Sequence, residues 1–320
     1  MTYNNVVFYN YFHNGDIHTS RGFIKEMMKI IPAKNFHESH MNPPCILSDI
    51  ENLRHIPFSD FCKIGLPYME GSLVHQKALV FNRQRSAAPF YTDGNNNLFI
   101  NAWSGQITEE KPECCNFPDY LKLYNQTLSK LGLEEICGGE KIFPSINYSF
   151  FSIDGVNEFF KNKRKSDTIL ISNGDVESGQ CENFDFNPII IKIAKNSPDL
   201  DFIVTNIMRE KIELENVFYA EDIIKKDGCD LNEISYMSTK CNMIVGRDSG
   251  PHTFCLTKEN ITNKDMLNVV FCLVEKEADY GAHTYPECKM KTIWSPYEND
   301  NQVYKVIEGA IKKIKIKEVV

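Results

Sequence analysis

The spacing of apolar residues changes along the chain, and these changes predict alternating strands and helices. Residues 5–12 are rich in β-branched and aromatic side chains, which indicates a strand. After a polar loop, a helix is predicted from about Ser20, because Phe23 and Met27 fall at helical spacing and Pro32 should end it. Strand, loop and helix together form the first half of a βαβ unit.

The same alternation continues to the C-terminus. In the first half, strands are predicted at 45–50, 79–82 and 97–103, and helices at 117–133 and 150–160. In the second half, strands are predicted at 168–173, 201–206, 217–220, 241–246 and 268–274, with helices at 188–194 and 231–238 and from about His252 and Gln302. Strands that alternate with helices are typical of a largely parallel, doubly wound sheet.

The length of 320 residues exceeds what one hydrophobic core usually supports, which predicts two domains. A basic stretch at 161–165 separates the two series of elements. The prediction is therefore an α/β protein with two Rossmann-like domains, residues 1–163 and 164–320. The last helix is a candidate for packing back on the N-terminal domain.

Composition and charge narrow the classes of function. Hydrophobic residues make up 42% of the chain, as in globular proteins, and the net charge of −8 argues against binding to nucleic acid or anionic membranes. There is no apolar run long enough to span a bilayer and no basic leader before the first strand. The 11 cysteines form no CxxC pair, which favours reduced thiols. We expect a cytoplasmic protein.

The loop after the first predicted strand contains a candidate catalytic base. Gly15 permits a sharp turn, and Asp16 would then project from the strand end, where a general base is useful. Arg21 is a candidate for holding an anion or orienting that carboxylate, and His18 is a further candidate. Alternatively, Asp16 only caps the helix and His18 is an incidental loop residue.

A second loop, at 247–253, has the composition of an anion site. Backbone N–H groups at a helix N-terminus, with a glycine and a hydroxyl nearby, bind phosphate readily. The alternative is an ordinary capped helix with proline in its first turn. The candidate diphosphate ligands are Arg247, Asp248, Ser249, Gly250, His252 and Thr253.

Two weaker candidates complete the set. The loop at 172–180 offers small polar groups for hydrogen bonds to a nucleotide or sugar, although its length also suits a plain surface loop. Its candidate residues are Asn173, Gly174, Ser178 and Gln180. At the end of the predicted strand 97–103, Asn101 and Trp103 could hold an acceptor sugar, or Trp103 could simply pack at the core edge.

Several other kinds of chemistry lack their sequence patterns. The chain has no GxGxxG or GxxxxGK[ST] phosphate loop and no G-x-S-x-G nucleophile elbow. No cluster of histidines and carboxylates has metal-ligand spacing, so no metal site is predicted.

Together, the segments Asn14-Gly15-Asp16-Ile17 and Gly246-Arg247-Asp248-Ser249-Gly250 resemble glycosyltransferases of the ADP-heptose transferase type, also called glycosyltransferase family 9. The match covers about 35 residues closely. The resemblance implies a GT-B fold, in which two Rossmann-like domains face each other across a cleft. It also implies that Asp16 is the base and that the second segment binds the donor diphosphate. The chain departs from this family at 178–180, where Ser178 and Gln180 stand in place of a basic residue.

The resemblance implies a metal-independent, inverting hexosyl- or heptosyltransferase. Its partners would be a nucleotide-sugar donor, which acts as co-substrate in place of a cofactor, and a glycan or other hydroxyl-bearing acceptor. Three alternatives stay open: a GT-B nucleotide-sugar epimerase, a fucosyltransferase-like enzyme, and a non-catalytic protein that binds nucleotide-sugars or glycans.

Overall fold

The computed structural model describes residues 2–10, 14–40, 43–57, 60, 90–102, 117–163, 165, 167–176, 181–273 and 287–317. The described chain divides into two compact units, which meet in sequence between Asn147 and Tyr148. This division lies 16 residues before the one expected from the basic stretch, at 163/164. The predicted strand at 79–82 falls outside the described residues.

The first unit is built on a five-stranded sheet in the order β3-β2-β1-β5-β4. All neighbouring strands are parallel except β4 and β5, which are antiparallel. Its elements are β1 (Tyr3–Tyr9), α1 (Asn14–Ile30), β2 (Ala33–Ser39), β3 (Leu53–His55), β4 (Phe90–Thr92), β5 (Asn97–Asn101) and α2 (Phe117–Lys130), with short 3-10 helices at Pro44–Leu47 and Glu140–Ile142.

Helix α1 begins six residues earlier than its apolar spacing predicts, at Asn14 instead of Ser20. Its first turns are polar, but their hydroxyl groups bond back to the helix backbone. The hydroxyl of Thr19 donates to the carbonyl of Gly15 (3.0 Å), and that of Ser20 donates to the carbonyl of Asp16 (2.9 Å). Polar side chains of this kind are compatible with a helix. Because they are not apolar, the apolar spacing does not reveal that the helix begins before Ser20.

The strands of the first unit differ from the sequence prediction in two places. The segment 45–50 forms a 3-10 helix and turn, with Pro44 at its first position, so the strand predicted there is wrong. The sequence does not predict strand β2, because only Ala33 and Phe36 are apolar in the segment AKNFHES. Its place in the sheet comes from parallel pairing with β1 on one side and β3 on the other.

The second unit contains a six-stranded, all-parallel sheet in the order β11-β10-β9-β6-β7-β8. Its strands are β6 (Thr168–Ser172), β7 (Asp201–Val204), β8 (Val217–Tyr219), β9 (Met243–Arg247), β10 (Leu267–Cys272) and β11 (Lys291–Pro296). Strands β7 and β8 lie to one side of β6 and β9 to β11 lie to the other, which is the doubly wound order of dinucleotide-binding domains. The sequence predicts all of these strands except β11, at the edge.

The helices of the second unit are α3 (Asp154–Asn162), α4 (Asn187–Asn196), α5 (Ala220–Ile224), α6 (Leu231–Ser238), α7 (Gly250–Thr253), α8 (Lys258–Ile261) and α9 (Asp300–Lys317), with a 3-10 helix at Tyr148–Phe150. Helix α3 packs so closely on α5 that a Cβ on Gly155 would lie 2.1 Å from the Ile223 carbonyl oxygen. Together with the ring contact between Tyr148 and Tyr236 (4.9 Å between centroids), this packing joins the segment from Tyr148 onward to the second unit.

The last helix, α9, contributes to the core of the second unit. Val303, Ile307 and Ala310 are buried with the apolar residues of β6, β9, β10 and α4. Its described apolar side chains therefore pack on the sheet of its own unit, which differs from the expectation that it packs back on the N-terminal domain. No described helix combines the length and the apolar character that a membrane span requires.

Each sheet has a position at which its strand order reverses. In the first unit this position lies between β1 and β5, and in the second it lies between β6 and β9. Ligands of open α/β sheets bind outside the carboxyl ends of the strands at such positions. The segments that follow β1, β6 and β9 contain most of the candidate site residues.

Candidate active site

Asp16 lies in the first turn of α1, just beyond the carboxyl end of β1. It is half-buried, and the hydroxyl of Tyr120 on α2 donates a hydrogen bond to Asp16 Oδ1 over 3.2 Å. The positive end of the helix dipole favours the ionised carboxylate at this position. Asp16 is thus a helix residue with an oriented carboxylate, whereas the sequence predicts it in a loop.

Tyr120 is held in place by stacked aromatic rings. Its ring stacks on Phe23 with 5.8 Å between centroids, and Tyr124 stacks on the same Phe23 at 4.9 Å. Burial, together with the charge of Asp16, raises the pKa of Tyr124, so this phenol stays protonated. The sequence predicts a helix at 117–133 but does not link Tyr120 with Asp16, because their hydrogen bond joins residues 104 positions apart.

Arg21 and His18 are both fully buried in α1. The guanidinium of Arg21 forms an ion pair with Asp49 and donates a hydrogen bond to the carbonyl of Ile46. The other oxygen of Asp49 accepts a hydrogen bond from the Asn147 backbone (2.9 Å). Arg21 therefore connects α1 to the segment after β2. Its guanidinium forms a structural ion pair and does not offer a site for an anion from solvent.

The segment after β9 forms the short helix α7, which Ser249 caps. The Ser249 hydroxyl accepts a hydrogen bond from the His252 backbone N–H (3.3 Å), and the Thr253 hydroxyl donates to the Ser249 carbonyl (3.0 Å). Within the described part of the chain, the backbone N–H groups of Ser249 and Gly250 donate no hydrogen bond. Two amides remain available to an anion, but a four-residue helix adds little dipole to them.

His252 is buried, and it is neutral at physiological pH. Its Nε2 lies 2.9 Å from Asn268 Oδ1, and burial lowers its pKa to about 4. A Cβ on Gly246 would lie 2.4 Å from His252 Nδ1, so the imidazole needs glycine at this position of β9. His252 therefore packs against β9 within the segment that follows this strand. Because it is neutral, it supplies no positive charge for a diphosphate.

Arg247 is also fully buried, directly beneath the loops of the second unit. Its guanidinium lies 5.3 and 5.2 Å from the ring centroids of Phe184 and Phe186, and its Nη2 donates to the Asn173 carbonyl over 2.8 Å. Its Nη1 lies 3.4 Å from the carboxylate of Asp175, which is exposed. Burial lowers the pKa of Arg247, but a guanidinium stays charged at neutral pH. Arg247 therefore places a buried positive charge next to Asn173, with Asp175 as its ion-pair partner.

Asn173 connects the segments that follow β6 and β7. Its Oδ1 accepts hydrogen bonds from the Asn206 backbone (2.8 Å) and the Thr205 hydroxyl (3.0 Å), and its Nδ2 donates to the Asn206 carbonyl (2.8 Å). A Cβ on Gly174 would lie 3.0 Å from Pro251, so the segments after β6 and β9 meet at the position where the strand order reverses. Ser178 and Gln180 lie outside the described residues.

The candidate acceptor residues are only partly described. Asn101 is buried at the carboxyl end of β5, and Trp103 lies outside the described residues. The ends of β5 and β1 are joined, because the Ala102 backbone N–H donates to the Tyr9 carbonyl (2.9 Å) and the Asn10 side chain donates to the Ala102 carbonyl (3.2 Å). The candidate acceptor segment thus begins beside the strand that leads to Asp16.

The spacing along the sequence predicts no metal site, but three residues with potential ligand atoms converge in the folded chain. Glu38, His40 and His55 place one potential ligand atom each within 4.8 Å of the others, at the carboxyl ends of β2 and β3. The Glu-x-His spacing of the first two is visible in the sequence. The third residue comes from another strand, and strand register cannot be read from that spacing.

The fold of the chain is similar to that of solved glycosyltransferases. In particular, the chain is similar to the ADP-heptose LPS heptosyltransferase II of E. coli, with 12% identity over 99% of this chain and 100% of that one and a TM-score of 0.56. It is also similar to the E. coli heptosyltransferase WaaC, solved with ADP-2-deoxy-2-fluoro heptose, at 10% identity over 97% and 99% of the two chains with a TM-score of 0.52. No protein-family model and no curated protein sequence matches the chain. At such identities the likeness shows the fold, and it agrees with the fold class expected from the two motifs.

Proposed function

We propose that the protein is an inverting glycosyltransferase that moves a sugar from a nucleotide-diphosphate donor to a hydroxyl acceptor. The observation that carries the proposal is the carboxylate of Asp16, oriented by Tyr120 at the carboxyl end of β1. A general base is needed at such a position, and the fold is shared with heptosyltransferases, one of which has been solved with ADP and with an ADP-sugar.

In the proposed reaction, Asp16 accepts the proton of the acceptor hydroxyl. The oxygen of that hydroxyl forms a bond to the anomeric carbon, while the bond from that carbon to the diphosphate oxygen breaks. Attack from the face opposite the leaving group inverts the configuration. The bonding electrons leave with the nucleoside diphosphate, whose growing negative charge must be stabilised by fixed hydrogen-bond donors and positive charge.

The second unit would supply that stabilisation without a metal ion on the diphosphate. The N–H groups of Ser249 and Gly250 are available as donors, and the buried charge of Arg247 lies beneath the adjoining loop. This charge would attract the diphosphate through space, although the Asp175 carboxylate, 3.4 Å from Arg247 Nη1, offsets part of it. The proposed reaction uses the nucleotide-sugar as co-substrate and no further cofactor.

Replacement of Asp16 by asparagine tests the base directly. Asparagine keeps an oxygen that accepts the Tyr120 hydrogen bond, but it cannot take a proton. We expect Asp16→Asn to lower turnover by about 10² to 10⁴-fold and to leave donor affinity within about twofold. Turnover is measured as donor hydrolysis in a panel of nucleotide-sugars, and affinity by calorimetry. A variant that keeps more than about a tenth of the wild-type rate contradicts the assignment.

Tyr120→Phe tests whether the tyrosine orients the base. The change removes one hydroxyl and keeps the aromatic ring, so we expect kcat to fall about tenfold while KM stays unchanged. Tyr124→Phe is the matched control, because that hydroxyl belongs to the same aromatic cluster but lies 3.4 Å from the Ala102 carbonyl. An equal loss in both variants would mean that packing, not orientation of Asp16, is responsible.

The same panel separates the alternatives. An epimerase changes the sugar of its donor without any acceptor, and a binding protein retains its nucleotide-sugar without turnover. Either outcome with the wild-type protein overturns the proposed transfer reaction.

A further inference from the structure

Three side chains with metal-ligand chemistry converge in the first unit. Glu38 Oε1 lies 2.8 Å from His55 Nδ1, and Glu38 Oε2 lies 2.9 Å from His40 Nε2. The two imidazole rings are tilted at 53° to each other, with 4.9 Å between centroids. One carboxylate thus faces two imidazoles, with a different oxygen directed at each.

The backbone pairing of the sheet explains why these residues meet. Glu38 and His55 are register partners in the parallel strands β2 and β3, so their side chains point to the same face. His40 follows Glu38 by two positions, which by strand alternation returns its side chain to that face. The ladder continues past the cluster, because the Ile56 backbone N–H donates to the Glu38 carbonyl over 2.8 Å. Glu38 and His55 are therefore carried by paired backbone, and His40 directly follows β2.

The cluster lies beneath the surface with one exposed edge. The side chains of Glu38 and His40 are 4% and 2% exposed, while that of His55 is 18% exposed. A buried carboxylate beside two imidazole nitrogens is a set of ligand groups that suits a cation, and the partly exposed side chain of His55 leaves one edge of the cluster accessible to solvent.

We propose that Glu38, His40 and His55 form a binding site for a zinc-type divalent ion. Two imidazole nitrogens and one carboxylate oxygen are a donor set that zinc accepts, and imidazole favours zinc and similar first-row ions over magnesium. Bonds of about 2.1 Å in a tetrahedral arrangement separate neighbouring ligand atoms by about 3.4 Å. With one ligand atom taken from each residue, the three atoms lie within 4.8 Å of one another, so side-chain rotations must bring their separations to about 3.4 Å.

The three described ligands leave a fourth position for water, as in zinc sites that act on substrates. The site lies at the carboxyl edge of the first sheet, on the strand next to β1, which leads to Asp16. This inference stands on the cluster itself and does not depend on the proposed glycosyl transfer.

The wild-type protein tests the site without any mutation. Protein freed of metal by chelator dialysis is titrated with zinc chloride by calorimetry, and the loaded protein is examined by X-ray absorption at the zinc edge. We expect one ion per chain, with only nitrogen and oxygen neighbours at about 2.0 to 2.1 Å. A sulfur shell at about 2.3 Å would assign the ion to cysteines and overturn the proposal, as would the absence of stoichiometric binding.

Variants then identify the ligands. Glu38→Gln removes the charge of one ligand and His55→Ala removes one ligand, so each should weaken zinc affinity about 100-fold or more, whereas excess magnesium should not compete. His37→Gln is the matched control, because His37 is adjacent on β2, points to the other face and contacts Asn5 (3.2 Å). It should bind zinc within about threefold of the wild type. Unchanged affinity in Glu38→Gln contradicts the proposal, and circular dichroism establishes that each variant is folded. The X-ray absorption result decides the matter if a variant does not fold.

Discussion

Arg21 illustrates how far one residue's role depends on its surroundings. Its side chain is closed off from solvent, because it is buried against Asp49, which is equally buried. Removing one partner of such a pair leaves an uncompensated charge in the interior, which typically costs several kcal/mol. The role of Arg21 therefore concerns the stability of the first unit more than the chemistry of Asp16.

We expect Arg21→Ala to lower the free energy of unfolding by about 3 to 5 kcal/mol. The matched control is Arg209→Ala, since Arg209 has a 78% exposed side chain and lies 3.6 Å from Asp185. An exposed pair of this kind contributes about 1 kcal/mol or less. Urea denaturation measures both variants, and similar small losses in the two would contradict the structural role of Arg21.

His252 predicts a pH dependence of stability. Its pKa is about 4 in the folded protein and about 6.5 in the unfolded chain, so the unfolded state binds more protons between these values. Stability should therefore fall as the pH drops from about 6.5 to 4. Between about pH 7 and pH 4.5, this one residue contributes a loss of about 2.5 kcal/mol.

The variant His252→Gln isolates this contribution, because glutamine does not titrate. The free energy of unfolding is measured in urea at about pH 7 and pH 4.5 for both proteins. We expect the loss between the two pH values to be smaller in the variant by about 2.5 kcal/mol. Equal losses would mean that His252 is not the buried neutral group that limits stability in acid.

At the scale of elements, a glycine of α1 allows this helix to pack closely against the 3-10 helix at Glu140–Ile142. A Cβ on Gly22 would lie 2.0 Å from the carbonyl oxygen of Ile142, so the two backbones touch where α1 passes this segment. Because the obstacle is backbone, it cannot rotate away. This contact helps to set the position of α1, and with it that of Asp16.

We expect Gly22→Ala to destabilise the protein by about 3 kcal/mol, the upper part of the usual cost of overpacking. Gly309→Ala is the matched control within α9, because a Cβ there meets no atom within 4 Å. Alanine favours helix, so this control should stabilise by up to about 1 kcal/mol. Thermal or urea unfolding gives both values, and a neutral Gly22→Ala would contradict the close backbone contact.

At the scale of the whole molecule, both sheets place candidate residues where their strand order reverses. The backbone amides of Ser249 and Gly250 follow β9, next to the reversal of strand order in the second unit. We therefore expect the diphosphate of the donor to contribute most of the binding free energy. A ligand that binds only the folded state raises stability by mass action.

Nucleoside diphosphates should therefore stabilise the protein. In a thermal-shift panel, one of ADP, UDP, GDP or CDP at about 100 times its Kd is expected to add about 2.7 kcal/mol, and the matching monophosphate should add less at the same concentration. Asp16→Asn should retain the shift, since it alters the other unit. If no diphosphate changes the melting temperature, the donor assignment of the second unit is contradicted.

The amino-acid sequence by itself determined the alternation of strands and helices, the two α/β halves and the motifs around Asp16 and Ser249. These features follow from apolar spacing, turn residues and local motifs, all of which act over a few neighbouring positions. The strands β6, β7, β9 and β10 were predictable because they are buried along their whole length and largely apolar. Burial on both faces leaves such strands little choice of structure.

Only the tertiary structure decided which polar residues meet. The partners of Asp16, Arg21 and Glu38 are Tyr120, Asp49 and His55, each in a different segment of the chain. The polar sequence of β2 does not predict a strand. The segment forms one because it pairs with β1 and β3 in the sheet. Strand register and helix packing bring together residues that are 17 to 104 positions apart, and no local pattern carries that information.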